Sequence, residues 1–348
     1  MNQKDLSPTA DISNSFFTFA TMIDRKNIKK VLIIRFSSIG DIVLTSPVSR
    51  LLKAKGYEVH YLSKKSFKGL LETNKNIDKV FCIDSQVSEI IEELKNECYD
   101  FVADLHWNIR SKQVLKALNV PFKKLDKLNL NKLMLVWFKW NIMPKGSVVE
   151  RYIDVVSDLG IENDNKGLDY FIPKGVEVNW REDFEVERFI SFVIGGQHEG
   201  KMMSPTKIKE VCLALPLPVV LLGGPDDMEK GEWIEAHGEG KIINAAGKYS
   251  LNESSYLLDQ SACVISHDTG LMHIASALNK PVVSLWGGTV PELGFAPYMP
   301  GRRSEEIGVK HFMRPSSKLG RRKGVYRLFN FMDAIPVEKI VAAVNLAI

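Results

Sequence analysis

Runs of consecutive apolar residues alternate along this chain with segments in which apolar residues recur at helical spacing. The first run, at 30–35, reads KVLIIR, and such continuous aliphatic runs are typical of strands buried on both faces. Residues 41–55 follow with helical periodicity, and Pro47 inside them predicts a helix that is kinked or divided. Strands that alternate with helices in this way predict parallel βαβ units.

The alternation occurs in two series, separated by a charged, glycine-containing segment at 162–188. Further strands are predicted at 58–62, 79–83, 99–105, 189–194, 219–222, 241–244, 263–265 and 281–286, and the basic segment 301–327 is predicted to be a loop. The chain is therefore predicted to be an α/β protein with two Rossmann-like, doubly wound parallel-sheet domains facing each other across a cleft. The predicted parts are an N-terminal extension at 1–28, a first domain at 29–172, a linker at 173–188, a second domain at 189–335 and a C-terminal helix at 336–348.

Composition narrows the class of protein without identifying it. Of 348 residues, 45% are hydrophobic and 25% are charged, as in an ordinary globular protein of about two domains. A net charge of +4 is too small to indicate nucleic-acid binding, although it fits an anionic substrate or membrane surface. The four cysteines form no CxxC pair, which indicates buried thiols in a reducing compartment. No apolar run reaches the ~18 residues that span a bilayer, and no signal peptide is predicted.

The stretch HDTGLMHIA at 267–275 is the most informative motif. It follows a predicted strand and opens a predicted helix, with Asp268 and Thr269 as good N-cap residues and Gly270 permitting close approach of a ligand. A helix start offers free N–H groups and the positive end of a dipole. We therefore expect a nucleotide diphosphate to bind there.

A matching turn lies far upstream, where Arg35 to Thr45 reads RFSSIGDIVLT. Asp41 follows Gly40 at the start of a helix, and on its own such an Asp most simply complements the helix dipole, worth ~0.3–1 kcal/mol. Considered beside the motif in the second half of the chain, Asp41 is predicted to be a general base that faces the cleft. A base of this kind deprotonates a sugar hydroxyl and contributes on the order of 10²–10⁴ in rate.

Other strand-end loops carry weaker signals. Gly195 to Lys201 matches GxxxxGK, but Met202 stands where a P-loop needs Ser or Thr, so we interpret the match as accidental. Lys201 is either a point charge for a phosphate or a solvated surface lysine. Gly223, Gly224 and Asp226 are either a ribose site or an ordinary turn.

Two helical and basic features also have simple alternatives. His273 lies on the predicted helix after Asp268, where a histidine is more often a packing residue than a catalytic one. The lysine and aromatic cluster at 123–140 is either a solvated helix whose Trp and Leu residues pack inward, which we favour, or a segment that binds an acidic acceptor or contacts the inner leaflet of a membrane. The basic cluster at 302–323 has the same alternatives.

Together these residues resemble the heptosyltransferase family, glycosyltransferase family 9, of lipopolysaccharide core synthesis, from roughly Lys30 onward. The turn Ser37-Ser38-Ile39-Gly40-Asp41 is similar to the N-terminal signature of the family, in which the Asp is the proposed catalytic base. The stretch 268–273 is similar to the C-terminal signature, in which the Thr-Gly backbone holds the donor pyrophosphate and the Asp contacts the donor sugar. Lys201 resembles the family's lysine near the donor phosphates.

The resemblance implies a GT-B fold with an acceptor-side first domain and a donor-binding second domain. It implies inverting, metal-independent transfer of a sugar, usually heptose from ADP-heptose, to an anionic glycolipid of the lipopolysaccharide core or lipid A type. Asp41 and Lys201 would be the catalytic residues, because Lys201 would stabilise the departing ADP. Taken together with the strand-end loops, the predicted donor-side residues are Gly196, Lys201, Gly223, Gly224, Asp226, Asp268, Thr269, Gly270 and His273, and the predicted acceptor-side residues are Ser37, Ser38 and Gly40.

The remaining expectations concern partners and location. We expect no cofactor and no metal, since the ADP-sugar is a substrate, and we expect a monomer without a nucleic-acid partner. The expected location is the cytoplasm, with peripheral contact at the inner membrane as one alternative.

Other functions stay open on the sequence alone. An epimerase or hydrolase on the same fold would turn over a nucleotide sugar without an acceptor, and a non-catalytic binder of sugar nucleotides would not need Asp41. A P-loop NTPase is disfavoured by Met202, and an NAD enzyme is disfavoured because no GxGxxG follows the first strand.

Overall fold

A computed structural model of the chain describes residues 28–321 and 329–348. The predicted N-terminal extension at 1–28 therefore lies outside the described residues except for Ile28. Arg322 and Lys323 of the predicted basic cluster lie outside them as well.

The first domain is built on a parallel sheet of five strands in the order β3-β2-β1-β4-β5. The strands are β1 (Lys30–Ile34), β2 (Glu58–Lys64), β3 (Lys79–Ile83), β4 (Phe101–Asp104) and β5 (Phe122–Lys124). Strand β1 lies at the centre because Val31 is aligned with Val59 on one side and with Phe101 on the other. Its side chains are buried on both faces, as the continuous apolar run predicts.

The second domain has a parallel sheet of six strands in the order β11-β10-β9-β6-β7-β8 within the described residues. These are β6 (Ile190–Val193), β7 (Val219–Leu222), β8 (Ile242–Asn244), β9 (Val264–His267), β10 (Val282–Trp286) and β11 (Glu305–Gly308). The order reverses between β6 and β9, and in open parallel sheets a ligand crevice forms outside the carboxyl ends of the strands at such a point. The prediction of two doubly wound parallel-sheet domains is confirmed.

Helices cover the faces of both sheets. Those of the first series are α1 (Ile39–Leu44), α2 (Ser46–Ala54), α3 (Lys68–Leu71), α4 (Ile91–Asn96), α5 (Ile109–Leu118), α6 (Asn129–Leu133) and α7 (Val148–Asp154). Those of the second are α8 (Trp180–Phe184), α9 (Pro205–Ala214), α10 (Met228–Ala236), α11 (Leu251–Gln260), α12 (Gly270–Ala277) and α13 (Val337–Ala347). Among them, α8 lies within the predicted linker, and α13 packs on α9, β10 and β11 of the second domain. The predicted domain boundaries themselves stay predictions.

The prediction of individual helices and strands succeeds or fails with the strength of the local sequence pattern. The helix predicted at 41–55 is divided, with α1 ending at Leu44 and α2 starting at Ser46, so that Pro47 occupies the first turn of α2, where proline is tolerated. The prediction that 301–327 is only a loop is wrong, because it contains β11. That strand reads EEIG and exposes Glu305 and Glu306, so it gives no hydrophobic pattern.

The segment 123–140 also differs from the favoured interpretation. After α6 the chain makes a π-helical turn at Met134–Phe138, and Leu135 is buried there. Trp137 and Trp140 are exposed instead of packed inward. The inward packing expected for these tryptophans is therefore wrong, because the turn buries Leu135 and directs its neighbours to the opposite face.

The largest hydrophobic core crosses from one domain to the other. It includes Val31 of β1 and Tyr152 of α7 from the first domain together with Met272 and Ile274 of α12 from the second. Helices α1 and α12 pack directly on each other, so the two helices that carry the sequence motifs form the contact between the domains. In the part of the chain described here, no helix is long and apolar enough to cross a bilayer.

Candidate functional site

A cavity of about 360 Å³ lies between the domains, where α1 and α12 begin. Both helices follow central strands, β1 and β9, so the cavity is at the carboxyl ends of both sheets, as the crevice rule for such folds requires. The predicted site residues that line it are Ser38, Gly40, Asp41, Lys201, Asp268, Thr269, Gly270 and His273. Two motifs that are far apart in the chain thus share one cavity.

Glycines allow the two helix starts to approach each other. A Cβ atom on Gly40 would lie 2.7 Å from Cδ2 of His273, and a Cβ atom on Gly270 would lie 2.7 Å from Cγ2 of Ile39 and 3.2 Å from the Gly40 nitrogen. Such distances are shorter than side chains tolerate without a shift of the neighbour. Both glycines are therefore needed for close contact between the domains.

Asp41 is held by partners from its own domain. Its Oδ1 lies 2.7 Å from Nη2 of Arg35 and accepts a bond from the Tyr152 hydroxyl at 3.3 Å. Its Oδ2 accepts from the Oγ–H of Ser38 at 2.9 Å and from the backbone N–H of Ser38 at 3.2 Å. Arg35 is fixed in turn by bonds to the carbonyls of Ser37 and Leu105. The carboxylate is thus oriented before any ligand binds.

These contacts set the charge of Asp41. Burial alone would raise its pKa, but the Arg35 guanidinium and the bonds from Ser38 outweigh burial and hold the pKa below its usual value. Asp41 is therefore ionised at neutral pH and can accept a proton.

Lys201 and Asp268 form the corresponding pair in the second domain. Nζ of Lys201 lies 2.6 Å from Oδ2 of Asp268, which also accepts a bond from the Thr289 hydroxyl at 3.1 Å. Because an ammonium has three donors, the bond to Asp268 leaves Lys201 able to bind a further anion.

The start of α12 is open to an anion. Thr269 is the N-cap, but its side chain makes no capping bond, and the first turn carries no acidic residue. Its hydroxyl lies 3.3 Å from that of Ser266 instead. The first N–H groups of a helix have no partner within the helix and carry partial positive charge. This start can therefore bind a phosphate beside Lys201.

Two buried histidines differ in whether their ring nitrogens have hydrogen-bond partners. His267 accepts from the Met203 N–H at 3.4 Å through Nε2, and its Nδ1 lies 3.2 Å from the Gly195 carbonyl, so it is a packing residue. His273 lines the cavity, and its buried Nδ1 has no hydrogen-bond partner in the described chain. Burial lowers the pKa of His273 to about 4, against the attraction of Asp268 and Asp41, so its ring is neutral at pH 7.

A model of glycosyltransferase family 9 (heptosyltransferase) matches residues 87–304, which is more than half of the chain. The chain belongs to this family. It is a glycosyltransferase, and the two parallel-sheet domains with a shared cavity are the GT-B fold, as the resemblance implied.

Individual relatives agree with the family. Lipopolysaccharide heptosyltransferase 1 of Campylobacter coli is 27% identical over 297 residues, which cover 75% of this chain and 84% of that protein. The solved structure of a glycosyl transferase family 9 protein from Veillonella parvula DSM 2008 matches with a TM-score of 0.71 at 21% identity, covering 91% of this chain and 96% of that one. E. coli ADP-heptose lps heptosyltransferase II matches with a TM-score of 0.69 at 20% identity, covering 91% and 97%.

Some predicted site residues of this glycosyltransferase lie outside the cavity lining. These are Ser37, Gly196, Gly223, Gly224 and Asp226. The turn at 223–227 is closed on itself, because Asp227 accepts from the Gly224 N–H and pairs with Lys230. The ribose role of this turn stays a prediction.

Other residues of the site were not predicted. Tyr152 contacts Asp41 from α7, where its apolar neighbours indicate only core, and Arg35, which pairs with Asp41, directly follows the buried strand β1. The apolar walls come from residues with no polar signal, namely Leu44, Phe67, Trp286, Val290, Leu293 and Phe295. A charge at the end of a buried strand was the available signal for Arg35.

Basic side chains flank the cavity on the first-domain side. Burial, followed by repulsion from Arg151 and Lys318, lowers the pKa of Lys132 to about 8. Burial and the charges of Arg35 and Lys127 lower the pKa of His106 to about 3. Crowded cations raise the local positive potential, which favours an anionic group beside Asp41.

A group with the spacing of metal ligands lies elsewhere. Within the described ranges, only Glu58, His60 and Glu97 bring potential ligand atoms within 4.8 Å of one another. Lys30 already pairs with Glu58 at 3.1 Å and with Glu97 at 2.8 Å, and His60 bonds to Tyr99 at 3.0 Å. Lys79 also pairs with Glu97, so two lysines balance the two carboxylates, and the cluster does not line the cavity.

Proposed function

We propose that this glycosyltransferase moves heptose from ADP-heptose to a hydroxyl of an anionic lipopolysaccharide-core glycolipid, with inversion and without a metal. The observation that carries the proposal is the shared cavity, in which Asp41 of one domain faces Lys201 and the start of α12 of the other. The names of the relatives support heptose and ADP as the donor parts.

Asp41 has the properties of the general base. Its carboxylate is ionised, lines the cavity and is fixed by Arg35 and Ser38. In the proposed step the acceptor hydroxyl gives its proton to Asp41 while its oxygen forms the bond to the anomeric carbon. The bond from that carbon to the ADP oxygen breaks at the same time, so the configuration inverts.

The second domain stabilises the leaving group. Lys201 donates to the developing charge on ADP, and the free N–H groups at the start of α12 bind the diphosphate. Because a lysine and a helix dipole can supply this stabilisation, we propose that the reaction needs no divalent cation. Addition of EDTA would then leave the initial rate unchanged.

The basic side of the cavity supports an anionic acceptor. Lys127 and Lys132 interact electrostatically with Asp41 from the first-domain side, where the acceptor must enter to reach the base. An anionic glycolipid complements this positive potential. We place the reaction at the cytoplasmic face of the inner membrane, where such a glycolipid would be available.

The donor is tested by thermal unfolding in the presence of ADP, UDP, GDP, CDP or NAD, each without metal. A ligand at ~100 times its dissociation constant stabilises the folded protein by about 2.7 kcal/mol, which gives a readable shift. Stabilisation by ADP alone supports the proposal, whereas preference for UDP or GDP would change the donor. Absence of any shift would contradict the donor site.

Turnover of ADP-heptose then separates transferase from hydrolase and epimerase. We expect ADP release to depend on the glycolipid acceptor, and the new linkage to have the opposite anomeric configuration by NMR. ADP release at the same rate without the acceptor would indicate a hydrolase. Isomerised ADP-sugar would indicate an epimerase.

A further inference from the structure

The segment 129–142 comprises α6, the π-helical turn and the residues after it, and it folds back so that Ile142 meets Asn131 on the surface of the first domain. We call this segment the hairpin. The Trp140 N–H donates to the Met134 carbonyl at 3.3 Å, and Nδ2 of Asn131 donates to the Ile142 carbonyl at 2.8 Å. Leu135 is buried in a small cluster with Val290 and Leu293 of the second domain. The hairpin is therefore fixed in place by one backbone bond, one side-chain bond and one buried anchor.

Large apolar side chains of this hairpin face solvent. Trp137 is 76% exposed, Trp140 is 62% exposed and Phe138 is 55% exposed, and Leu130 is exposed beside them. The rings of Phe138 and Trp140 lie 5.8 Å apart. Clustered exposed aromatic residues on a monomeric domain mark an interaction site.

The second domain extends this apolar surface. Nζ of Lys139 donates to the carbonyls of Met313 at 3.0 Å and Pro315 at 2.8 Å, which ties the hairpin to the neighbouring loop. That loop exposes Phe312 and Leu319. We define the aromatic face by the exposed residues of the hairpin and this loop: Leu130, Trp137, Phe138, Trp140, Phe312 and Leu319.

The two sequence segments that carry the aromatic face are basic and contain no carboxylate. No acidic residue occurs between Asp126 and Glu150, or between Glu306 and Asp333. Both segments carry exposed lysines, namely Lys145, Lys310 and Lys318. Such segregation of charge is unusual in a chain with 42 acidic and 46 basic residues, and it complements a negatively charged surface.

We propose that the aromatic face docks this protein onto an anionic lipid bilayer. Tryptophan rings partition to the headgroup level of membranes, and lysines beside them are attracted to anionic lipids. A second copy of the chain would fit this face poorly, because pairing it with itself would bring two positive surfaces together. The bilayer satisfies both the apolar side chains and the lysines.

The position of the face gives docking a consequence for the proposed function, on which this step rests. Leu319 and Lys318 belong both to the loop of the aromatic face and to the cavity lining. Leu135, under the hairpin, packs on Val290 and Leu293, which also line the cavity. A docked molecule would therefore present the mouth of its cavity to a glycolipid anchored in the same bilayer.

The test is co-sedimentation of the full chain with vesicles of phosphatidylglycerol and phosphatidylethanolamine, compared with phosphatidylcholine vesicles. We expect binding to the anionic vesicles that weakens as salt is raised. The double variant W137A/W140A should bind the anionic vesicles at least about tenfold more weakly than the unchanged chain. K145E/K310E should weaken binding to the anionic vesicles and leave any binding to phosphatidylcholine vesicles unchanged. The matched control is Trp233→Ala, which removes an exposed tryptophan of α10 that stacks on His237.

Each outcome decides the proposal. Equal binding of W137A/W140A and the unchanged chain, or no binding of the unchanged chain, would overturn it. Self-association in solution that W137A/W140A abolishes would also overturn it and assign the face to a protein partner. W137A/W140A should bind ADP, and transfer to a delipidated acceptor, as well as the unchanged chain does. Failure of the proposed function has a different signature, because the unchanged chain itself would then not bind ADP.

Discussion

The starts of α1 and α12 are built alike but carry opposite charge at the cavity. Each follows a central strand, each turns through a glycine, and each glycine faces the other helix. In α1 the first turn holds Asp41, which accepts from the N–H and Oγ–H of Ser38. In α12 the first turn holds no acid, and Thr269 makes no capping bond.

This difference separates two chemical tasks. A helix start whose N–H groups face its own carboxylate has little positive potential left for a phosphate, whereas an uncapped start keeps it. The first domain can therefore hold a base, and the second can bind the diphosphate.

The ion pairs show the same division. Arg35 is bound to two carbonyls as well as to Asp41, so its role is to fix the carboxylate. Lys201 bonds to Asp268, and its remaining donors are available to a ligand. The anion is the functional group in the first domain, and the cation is in the second.

The largest effect should come from removing the base. Asp41→Asn keeps the size of the side chain, and transfer should fall by ~10²–10⁴ because the amide cannot accept the proton. Affinity for ADP should stay the same, since the diphosphate binds to the other domain. Initial rates and calorimetric titration with ADP measure the two quantities.

The matched control is Asp154→Asn, which changes an exposed carboxylate of α7. Thermal unfolding should be recorded for both variants, because Asn leaves the buried Arg35 without its counterion. Transfer at the normal rate by a folded Asp41→Asn protein, or loss of its ADP binding, would contradict the division of tasks.

Removing the cation of the second domain should weaken donor binding. A hydrogen bond to a charged group is worth ~1.5–3 kcal/mol, so Lys201→Met should weaken ADP binding by about 10–100-fold. Lys207→Met, on α9 beside Glu210, is the control and should bind ADP normally. An unchanged dissociation constant for Lys201→Met would make Lys201 a surface residue that only neutralises Asp268.

A smaller effect tests the contact of the two helix starts. Gly270→Ala places a methyl group against Ile39 and the Gly40 nitrogen, and overpacking of this kind costs ~1–3 kcal/mol. Gly69→Ala is the control, because no atom lies within 4 Å of its Cβ position in α3. Urea unfolding compares the two, and equal stability would show that the domains can separate at this contact without loss.

The sequence predicts those parts of the fold in which one strand carries a strong local pattern. The apolar runs at 79–83 and 219–222 agree with β3 and β7 in both bounds. By contrast, β5 and β11 are short edge strands with charged residues, and their existence depends on a neighbouring strand. Local periodicity contains no information about that neighbour.

The residues of the site also fall into those that the sequence could predict and those that it could not. Asp41, Lys201 and Thr269 could be predicted because each lies at the end of a strand, and the carboxyl ends of parallel strands meet at one edge. Tyr152 could not, since it reaches Asp41 across 111 residues from a helix with a normal apolar face. The exposure of Trp137 also depends on a turn that periodicity does not reveal.

The smallest expected effect is on the pH dependence of stability and comes from His273 of α12. The pKa of His273 is about 4 in the folded protein and ~6.5 in an unfolded chain. Between these values the unfolded chain binds a proton that the folded one does not, so this contribution to stability is complete above pH ~6.5 and is lost as the pH falls toward 4.

His273→Gln removes the titration, and its free energy of unfolding should fall less than that of the unchanged protein between about pH 7 and pH 5. Equal slopes for the unchanged protein and His273→Gln would mean that the ring has the same pKa in the folded and unfolded states, which would contradict its burial as a neutral ring beside Asp268 and Asp41.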